Sequence, residues 1–134
     1  RAGVARLAVF DANTGAMEAL AGRLRAAYPA LVVETGSNDP AGFDIVVNAT
    51  PLGMNPGDPM PVEIARIPPT AFVGEVVMKQ EITPFLAAVR DRGCRYQVGS
   101  DMLFEQIPAY LEFFGLPTTT PEELRELSPV GRAA

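Results

Sequence analysis

Short apolar runs alternate along the chain with longer stretches that carry a helical repeat. Short apolar runs bounded by turn residues indicate strands that are buried on both faces. Five such runs occur, namely RLAVF at 6–10, ALVVET at 30–35, FDIVVNAT at 43–50, TAFVGEVVM at 70–78 and CRYQV at 94–98. Because these strands alternate with helical stretches, the pattern predicts an α/β fold with a doubly wound parallel sheet.

The first helical stretch follows the first strand and spans residues 13–29. Asn13 or Thr14 can accept hydrogen bonds from the free backbone N–H groups at its start, and Pro29 ends it. One face of this helix carries apolar residues at helical spacing, namely Met17, Leu20, Ala21, Leu24 and Tyr28. We therefore expect this face to pack against the sheet.

Three more helices are predicted from turn and capping residues. A Thr-Pro pair at 83–84 indicates the start of the second helix, and Gly93 indicates its end. The stretch 100–115 predicts a third helix, with a bend at Pro108 because proline lacks a backbone donor. A capping box opens a short fourth helix at 120–127, and the tail beyond it is expected to fray.

Composition and net charge indicate which partners the chain can bind, and they say less about its fold. The chain has 134 residues, 48% of them hydrophobic, and a net charge of −5, which fits one globular domain. A negative chain is poorly suited to nucleic acid or anionic membranes, and no apolar run has the length of a membrane span. We therefore expect neither as a partner, whereas a small polar metabolite remains compatible.

Missing residue types exclude several chemistries. The chain has no His, so metal sites and proton relays built on imidazole are excluded within it. Its single cysteine, Cys94, rules out an internal disulfide, and we expect it to be a small buried hydrophobe. One reduced cysteine also favours a cytoplasmic location.

Polar residues at the strand ends are the candidate site, because open parallel sheets bind ligands beyond the carboxyl ends of their strands. Asp11 can accept hydrogen bonds from the ribose of a dinucleotide, or it can be a turn residue. Asn48 to Pro51 can line a ligand or form a plain turn. Gln106 can face a ligand, although its position alone favours solvent. The residue pattern leaves these alternatives open.

Three ordered motifs resemble the cofactor-binding domain of the shikimate/quinate dehydrogenase family. FDIVVNATPLGM at 43–54 is similar to the family's D-x-(I/V)-(I/V)-N-A-T-(P/S)-x-G-M. VGEVVMKQEITPFLAAVRDRGC at 73–94 resembles its D-x-(I/V)-Y-x-P-x-x-T-P-(L/F)-L-x-x-A-x-x-x-G-C segment, and GSDMLFEQ at 99–106 resembles G-x-G-M-L-x-x-Q. The similarity covers about residues 5–115 and implies a Rossmann-like sheet that lacks the strand before the family's second one.

The resemblance implies a set of binding residues. The cofactor would be contacted by Asp11, Asn13, Asn48, Thr50, Leu52, Val76, Gly99 and Met102. Gln106 matches the family's ligand to a substrate hydroxyl, and Met78 stands where the family has a substrate-side Tyr. Glu75 replaces an Asp and Asp101 replaces a Gly. The resemblance implies no catalytic residue and no metal ligand within this chain.

The cofactor implied is NAD rather than NADP. NADP-using members carry two Arg in an N-R-T-x-x-R pattern, and these positions are Ala12 and Ala16 in this chain. Asp11 takes the place of the Asn. A carboxylate in place of cations repels the 2′-phosphate of NADP.

Two parts of the expected enzyme are not in the sequence. No two glycines stand at G-x-G spacing, so the turn that holds the pyrophosphate is missing. The family's catalytic Lys and Asp belong to an N-terminal domain that is also missing. We therefore predict a partial dinucleotide-binding domain at 1–115 and a capped helix with tail at 116–134, both belonging to a longer protein and inactive alone.

Two functions follow from these expectations. The first is the cofactor-binding portion of an NAD-dependent oxidoreductase that transfers a hydride between NAD and a ring hydroxyl of a shikimate- or quinate-like hydroxy acid. It would work with the N-terminal catalytic domain of the same protein and can form a homodimer. The alternative is a non-catalytic nucleotide-binding or regulatory module on the same fold, which the changes at Met78 and Asp101 leave open.

Overall fold

A computed structural model describes residues 3–127 of the chain, so the tail predicted to fray at 128–134 lies outside the described residues. The chain forms two compact units, one up to Asp39 and one from Pro40 onward. All strand pairs in the described residues are parallel and helices connect most of them, which confirms the predicted α/β class with a parallel sheet. None of the helices in this part of the chain is long and apolar enough to cross a bilayer.

The amino-terminal unit is one βαβ element. It consists of β1 (Arg6–Val9), α1 (Thr14–Ala27) and β2 (Val32–Thr35), and the two strands pair in parallel from Arg6↔Val32 to Val9↔Thr35. Asn13 caps α1 by accepting a hydrogen bond from the backbone N–H of Ala16 at 3.0 Å, as its position predicts.

Only part of the expected apolar face of α1 is buried. Within the described residues of this unit, the buried hydrophobic side chains are Met17, Ala21 and Val33. Leu20 and Tyr28 are exposed, so only part of the face identified in the sequence is covered in this chain. Met17 and Ala21, which are one turn apart, are the buried side chains of α1.

The strands of the carboxy-terminal unit form a three-stranded parallel sheet. The order is β3 (Ile45–Asn48), β4 (Phe72–Glu75) and β5 (Arg95–Gln97), with β4 in the centre. No strand in residues 3–127 joins this sheet to the β1–β2 pair. The predicted absence of a central strand agrees with these two separate sheets.

Three α-helices and one 3-10 helix complete the part of this unit that the structure describes. They are a 3-10 helix at Ile64–Arg66, which the sequence did not indicate, and α2 (Pro84–Asp91), α3 (Gly99–Phe113) and α4 (Pro121–Leu127). Thr83 caps α2 through its hydroxyl oxygen, and the predicted capping box forms at Thr120 and Glu123. The helix α3 continues through Pro108 as one element.

The core of the carboxy-terminal unit lies between α2 and one face of the sheet. Its buried members are Ile67, Ala71, Val73, Phe85, Leu86, Val89 and Cys94. Val46 of β3 packs against this cluster, whereas its neighbours Ile45 and Val47 are exposed on the other face. Cys94 is buried, as its sequence position suggested. This core fixes α2 against the sheet and so fixes the carboxyl ends of β3 and β4.

Candidate functional site

The candidate site begins where β3 and β4 end side by side. Asn48 and Glu75 are register partners on these two strands, and only 3% and 4% of their surfaces are exposed. Paired residues of neighbouring strands place their side chains next to each other on the same face. The edge of the sheet therefore carries a buried amide beside a buried carboxyl.

The Asn48 amide organises the loop that follows β3. Its Nδ2 donates to the carbonyl oxygen of Leu52 at 2.9 Å, and its Oδ1 accepts from the backbone N–H and the hydroxyl of Thr50 at 3.0 and 2.7 Å. The Thr50 hydroxyl oxygen also accepts from the Leu52 N–H at 3.1 Å. Asn48 thus stabilises a turn, which is one of the two interpretations of this segment. The same bonds hold residues 50–52 at the edge of the sheet.

Gly53 lets this loop lie against the start of α2. Its φ of +70° lies in the left-handed region, and its carbonyl accepts from the backbone N–H of Phe85 at 3.1 Å. A Cβ at Gly53 would lie 2.8 Å from the Cβ of Phe85, which is closer than two carbons can pack. The loop after β3 is therefore held at both of its ends.

Glu75 is a buried carboxyl of which only one oxygen is hydrogen-bonded within residues 3–127. Its Oε1 accepts a hydrogen bond from the buried hydroxyl of Thr83 at 2.9 Å, whereas its buried Oε2 has no hydrogen-bond partner among the described residues. Burial raises the pKa of this carboxyl, while the hydrogen bond from Thr83 and the neighbouring Asn48 amide act in the opposite direction. The carboxyl joins the end of β4 to the cap of α2.

The loops that follow β3 and β4 are also joined by side chains that sequence reasoning missed. Lys79 donates from Nζ to Oδ1 of Asn55 at 3.1 Å, and Gln80 donates from Nε2 to the carbonyl of Met54 at 2.5 Å. Their sequence separation of 24 and 26 residues leaves no local pattern by which these contacts could have been found. These two hydrogen bonds link the two loops at this edge of the sheet.

The start of α3 lies close to the backbone that follows β4. A Cβ built on Gly99 would lie 2.0 Å from the carbonyl oxygen of Val77, so only glycine fits this position. The backbone N–H of the neighbouring residue, Val76, donates to the carbonyl of Asn48 at 3.2 Å. The structure therefore brings Asn48, Val76 and Gly99 into one region, which the sequence analysis singled out from three separate motifs.

Two further candidates lie on α3, and a third lies on the loop after β4. Met102 and Gln106 are one turn apart and exposed. The Tyr110 hydroxyl donates to Oε1 of Gln106 at 3.0 Å, which fixes the orientation of that amide. Met78 is also exposed. The position of Gln106 at the surface is compatible with both solvent and a ligand.

Asp101, in the first turn of α3, is paired with a basic residue of α4. Arg125 donates from Nε to Asp101 Oδ1 at 3.1 Å and from Nη2 to Glu105 Oε1 at 2.8 Å. Its guanidinium also lies 5.7 Å from the centre of the Phe104 ring. Sequence reasoning missed this pairing, although two acids at i and i+4 on α3 signalled a site for a cation.

Asp11 and Asn13 lie in the amino-terminal unit, after β1. Asp11 Oδ1 accepts from the backbone N–H of Asn13 at 2.8 Å, and Asn13 caps α1. Both side chains are exposed. Their hydrogen bonds are those expected of a turn residue and a helix cap. The Asp11 carboxylate is nevertheless exposed, so it could also accept hydrogen bonds from the ribose of a dinucleotide.

Similarity to known proteins was found for both sequence and structure, although no family model matches the chain. It is 39% identical over 84 residues to a shikimate dehydrogenase (NADP(+)) of Nitrobacter winogradskyi, covering 62% of this chain and 30% of that protein. It is 34% identical over 108 residues to a shikimate dehydrogenase (NADP(+)) of Paracoccus denitrificans, covering 77% of this chain and 38% of that protein.

A solved structure of a related enzyme is similar to this chain over a larger share of its length. The quinate dehydrogenase of Corynebacterium glutamicum in complex with NAD matches 92% of this chain with a TM-score of 0.75 and 33% identity. The match covers 46% of that enzyme, so the chain spans less than half the length of each of these three proteins. These similarities confirm the predicted resemblance to part of a shikimate/quinate dehydrogenase with a Rossmann-like fold.

Proposed function

We propose that this chain is the cofactor-binding portion of an NAD-dependent oxidoreductase that resembles shikimate and quinate dehydrogenases. The full protein would transfer a hydride between NAD and a ring hydroxyl of a shikimate- or quinate-like acid. One observation carries the proposal. The three regions singled out by separate motifs, at Asn48, Val76 and Gly99, converge on one sheet edge of a fold shared with an NAD-bound quinate dehydrogenase.

The residues at this edge fit the nicotinamide end of such a cofactor. Backbone at Val76 and Gly99 and the turn at Thr50 and Leu52 offer polar groups without bulky or charged side chains. Met102 would add an apolar contact. The bound cofactor supplies the hydride chemistry, and the chain's own residues would bind and orient it. The pyrophosphate would have to be held by a glycine-rich turn, which this sequence lacks.

The preference for NAD is the finer part of the proposal. It is supported by the exposed carboxylate of Asp11 and by alanine at positions 12 and 16, where NADP-using family members carry arginine. The two shikimate dehydrogenases above are named for NADP(+), whereas the quinate dehydrogenase was solved with NAD. The cofactor is thus the feature by which this chain would differ from some of its relatives.

The substrate is proposed to be held in part by α3. Because Tyr110 engages Oε1 of Gln106, the amide nitrogen is the group with which Gln106 would donate to a substrate hydroxyl. Met78 offers no hydroxyl where the family has a tyrosine. We therefore propose a hydroxy acid of the same class, with fewer polar contacts on that side of the ring. We propose that the full protein is a soluble cytoplasmic enzyme.

The partner we propose is the catalytic domain of the same protein. Four large side chains at the end of α3 form an exposed cluster, here called the aromatic surface, made of Tyr110, Phe113, Phe114 and Leu116. Phe113 and Phe114 are 81% and 71% exposed. Exposed apolar clusters of this kind mark interaction sites. A domain that covers the aromatic surface would also lie beside Gln106 on the same helix, where a substrate between two domains would bind.

The test is a reduction assay with the full-length protein, supplied with NAD or NADP and with shikimate, quinate or related hydroxy acids. We expect turnover of at least one such acid and a higher kcat/KM with NAD. Binding of NAD without turnover of any acid would support the non-catalytic module instead. Equal kcat/KM with NAD and NADP would contradict the proposed preference, while leaving the oxidoreductase in place.

A further inference from the structure

We infer that Glu75 is a positioning residue, whose buried carboxyl fixes the orientation of the Asn48 amide and thereby holds the loop at residues 49–54 in place. The inference rests on the proposed function, because this loop would border the cofactor. It assigns to Glu75 a role that is distinct from contact with either cofactor or substrate.

The first step of the argument is the arrangement of the two side chains. Asn48 and Glu75 are directly paired on β3 and β4, and both are almost fully buried on the face that α2 covers. The Glu75 carboxyl is fixed from its other side, because Oε1 accepts from the Thr83 hydroxyl at 2.9 Å and Thr83 caps α2. The carboxyl is therefore a rigid acceptor next to the amide.

The second step is the polarity of the amide. In the observed orientation, Nδ2 of Asn48 donates to Leu52 while Oδ1 accepts twice from Thr50. The reversed orientation would turn the amide oxygen toward the Leu52 carbonyl and the amino group toward the Thr50 N–H, so the bonds to these two backbone groups would be lost. A neighbouring carboxyl is an acceptor and favours the orientation that turns the amino group toward it. Glu75 thus selects the arrangement that holds the loop.

The third step concerns the oxygen without a partner. A buried acceptor that makes no hydrogen bond destabilises a fold by about 1–3 kcal/mol, and Glu75 Oε2 is such an atom among the described residues. Stability alone therefore does not account for a carboxyl at this position. Orientation of Asn48 accounts for it, because that effect requires a strong acceptor and an amide held side by side.

The experiment uses the full-length protein and three variants. Glu75→Ala removes the acceptor, Glu75→Asp restores a carboxylate with a shorter side chain, and Thr83→Val removes the other partner of Glu75 while leaving an acceptor beside Asn48. Binding of NADH is measured by fluorescence titration, and thermal unfolding is measured in parallel. Hydrogen exchange at the backbone amides of Thr50 and Leu52 reports on the loop without any cofactor.

We expect Glu75→Ala to weaken NADH binding about tenfold, equivalent to the net contribution of one hydrogen bond. It should also speed exchange at Thr50 and Leu52, because their N–H groups donate within the turn that Asn48 organises. Glu75→Asp should restore both properties. Thr83→Val should lower the unfolding temperature through the loss of the α2 cap, and it should change NADH affinity and exchange at these two amides less than Glu75→Ala does.

Unchanged exchange at Thr50 and Leu52 in Glu75→Ala would overturn the inference. Parallel losses of affinity and stability in Glu75→Ala and Thr83→Val would also overturn it, since they would indicate a structural role only. A wild-type protein that binds neither NADH nor NADPH would contradict the proposed function instead. The exchange measurement would still decide the role of Glu75 in that case.

Discussion

The two compact units of the chain bury very different numbers of apolar side chains. The amino-terminal βαβ unit buries Met17, Ala21 and Val33. The carboxy-terminal unit has a continuous buried cluster of seven residues between α2 and its sheet. Both units were built from the same kind of apolar strand, so strand composition does not explain the difference. The carboxy-terminal unit also buries residues from outside its strands and α2, among them Ile67 and Ala71, which precede β4.

This difference matters for how each unit presents its candidate residues. In the carboxy-terminal unit, Asn48 and Glu75 are nearly fully buried, and each is fixed by hydrogen bonds beside the core. In the amino-terminal unit, Asp11 and Asn13 are exposed and are fixed by local hydrogen bonds alone. A site built from the first kind of residue depends on packing, whereas one built from the second depends on charge and on local turn chemistry.

Core truncation should give the largest difference between the units. Phe85 is fully buried, and Phe85→Ala should cost about 3–5 kcal/mol of unfolding free energy because it leaves a cavity. Leu20 on α1 is exposed, and Leu20→Ala should cost about 1 kcal/mol or less. Urea unfolding of the full-length variants measures both. Equal costs would mean that Leu20 is covered in the full protein and that the contrast belongs to this chain only.

Replacing one glycine in each unit should produce opposite effects. Gly99→Ala forces a methyl group against the Val77 carbonyl, and displacement of the site by about 1 Å should reduce kcat/KM by about 100-fold. Gly22→Ala in α1 meets no atom within 4 Å and should stabilise the helix by about 0.5–1 kcal/mol. Steady-state kinetics and thermal unfolding of the two variants test this pair. Full activity in Gly99→Ala would show that the close approach at Val77 is dispensable.

The charge at Asp11 should affect the choice of cofactor more than its overall binding. Asp11→Asn removes the repulsion of a 2′-phosphate and should raise the affinity for NADPH relative to NADH about tenfold. The matched control is Glu34→Gln in the same unit, whose carboxylate is paired with Arg6 at 3.8 Å. Fluorescence titration with both cofactors gives the ratio. Equal ratios in Asp11→Asn and the wild type would remove Asp11 from the proposed site.

The smallest expected effect is the pH dependence that Glu75 contributes. Burial raises the pKa of this carboxyl above its ordinary value of 4.5. The stabilisation linked to the protonated form is therefore fully present below about pH 4.5 and is lost as the pH rises through the raised pKa. Glu75→Gln should flatten this part of the curve of unfolding temperature against pH. An identical slope in variant and wild type would assign the pH dependence to other groups.

Much of the fold could be predicted because its signals are local. The caps at Asn13 and Thr83, the stop at Gly93 and the capping box at Thr120 each act within one helical turn, and all of them form as expected. The absence of a central strand from residues 3–127 could also be inferred, because the resemblance implied the order of the remaining strands. The exposed part of α1 could not, because burial depends on what the helix packs against.

The sequence motifs identified candidate residues that lie close together, but they did not indicate the side-chain contacts around them. The motifs located Asn48, Val76 and Gly99, and the structure brings these residues together. The burial of Glu75 and its contact with Thr83 depend on where α2 begins relative to β4, which no local pattern records. The bond from Lys79 to Asn55 likewise joins residues far apart in sequence. Contacts of this type become visible only when the strands and loops are placed in space.

The pairing of Asp101 with Arg125 restricts the order in which these residues can be replaced. Arg125 lies within 4 Å of three carboxylates, those of Asp101, Glu105 and Glu122. Without the arginine, an acid at 101 would add to two others, whereas Arg125 with a glycine at 101 keeps two partners. Replacing Arg125 first is therefore expected to disfavour the contact of α3 with α4 more than replacing Asp101 first.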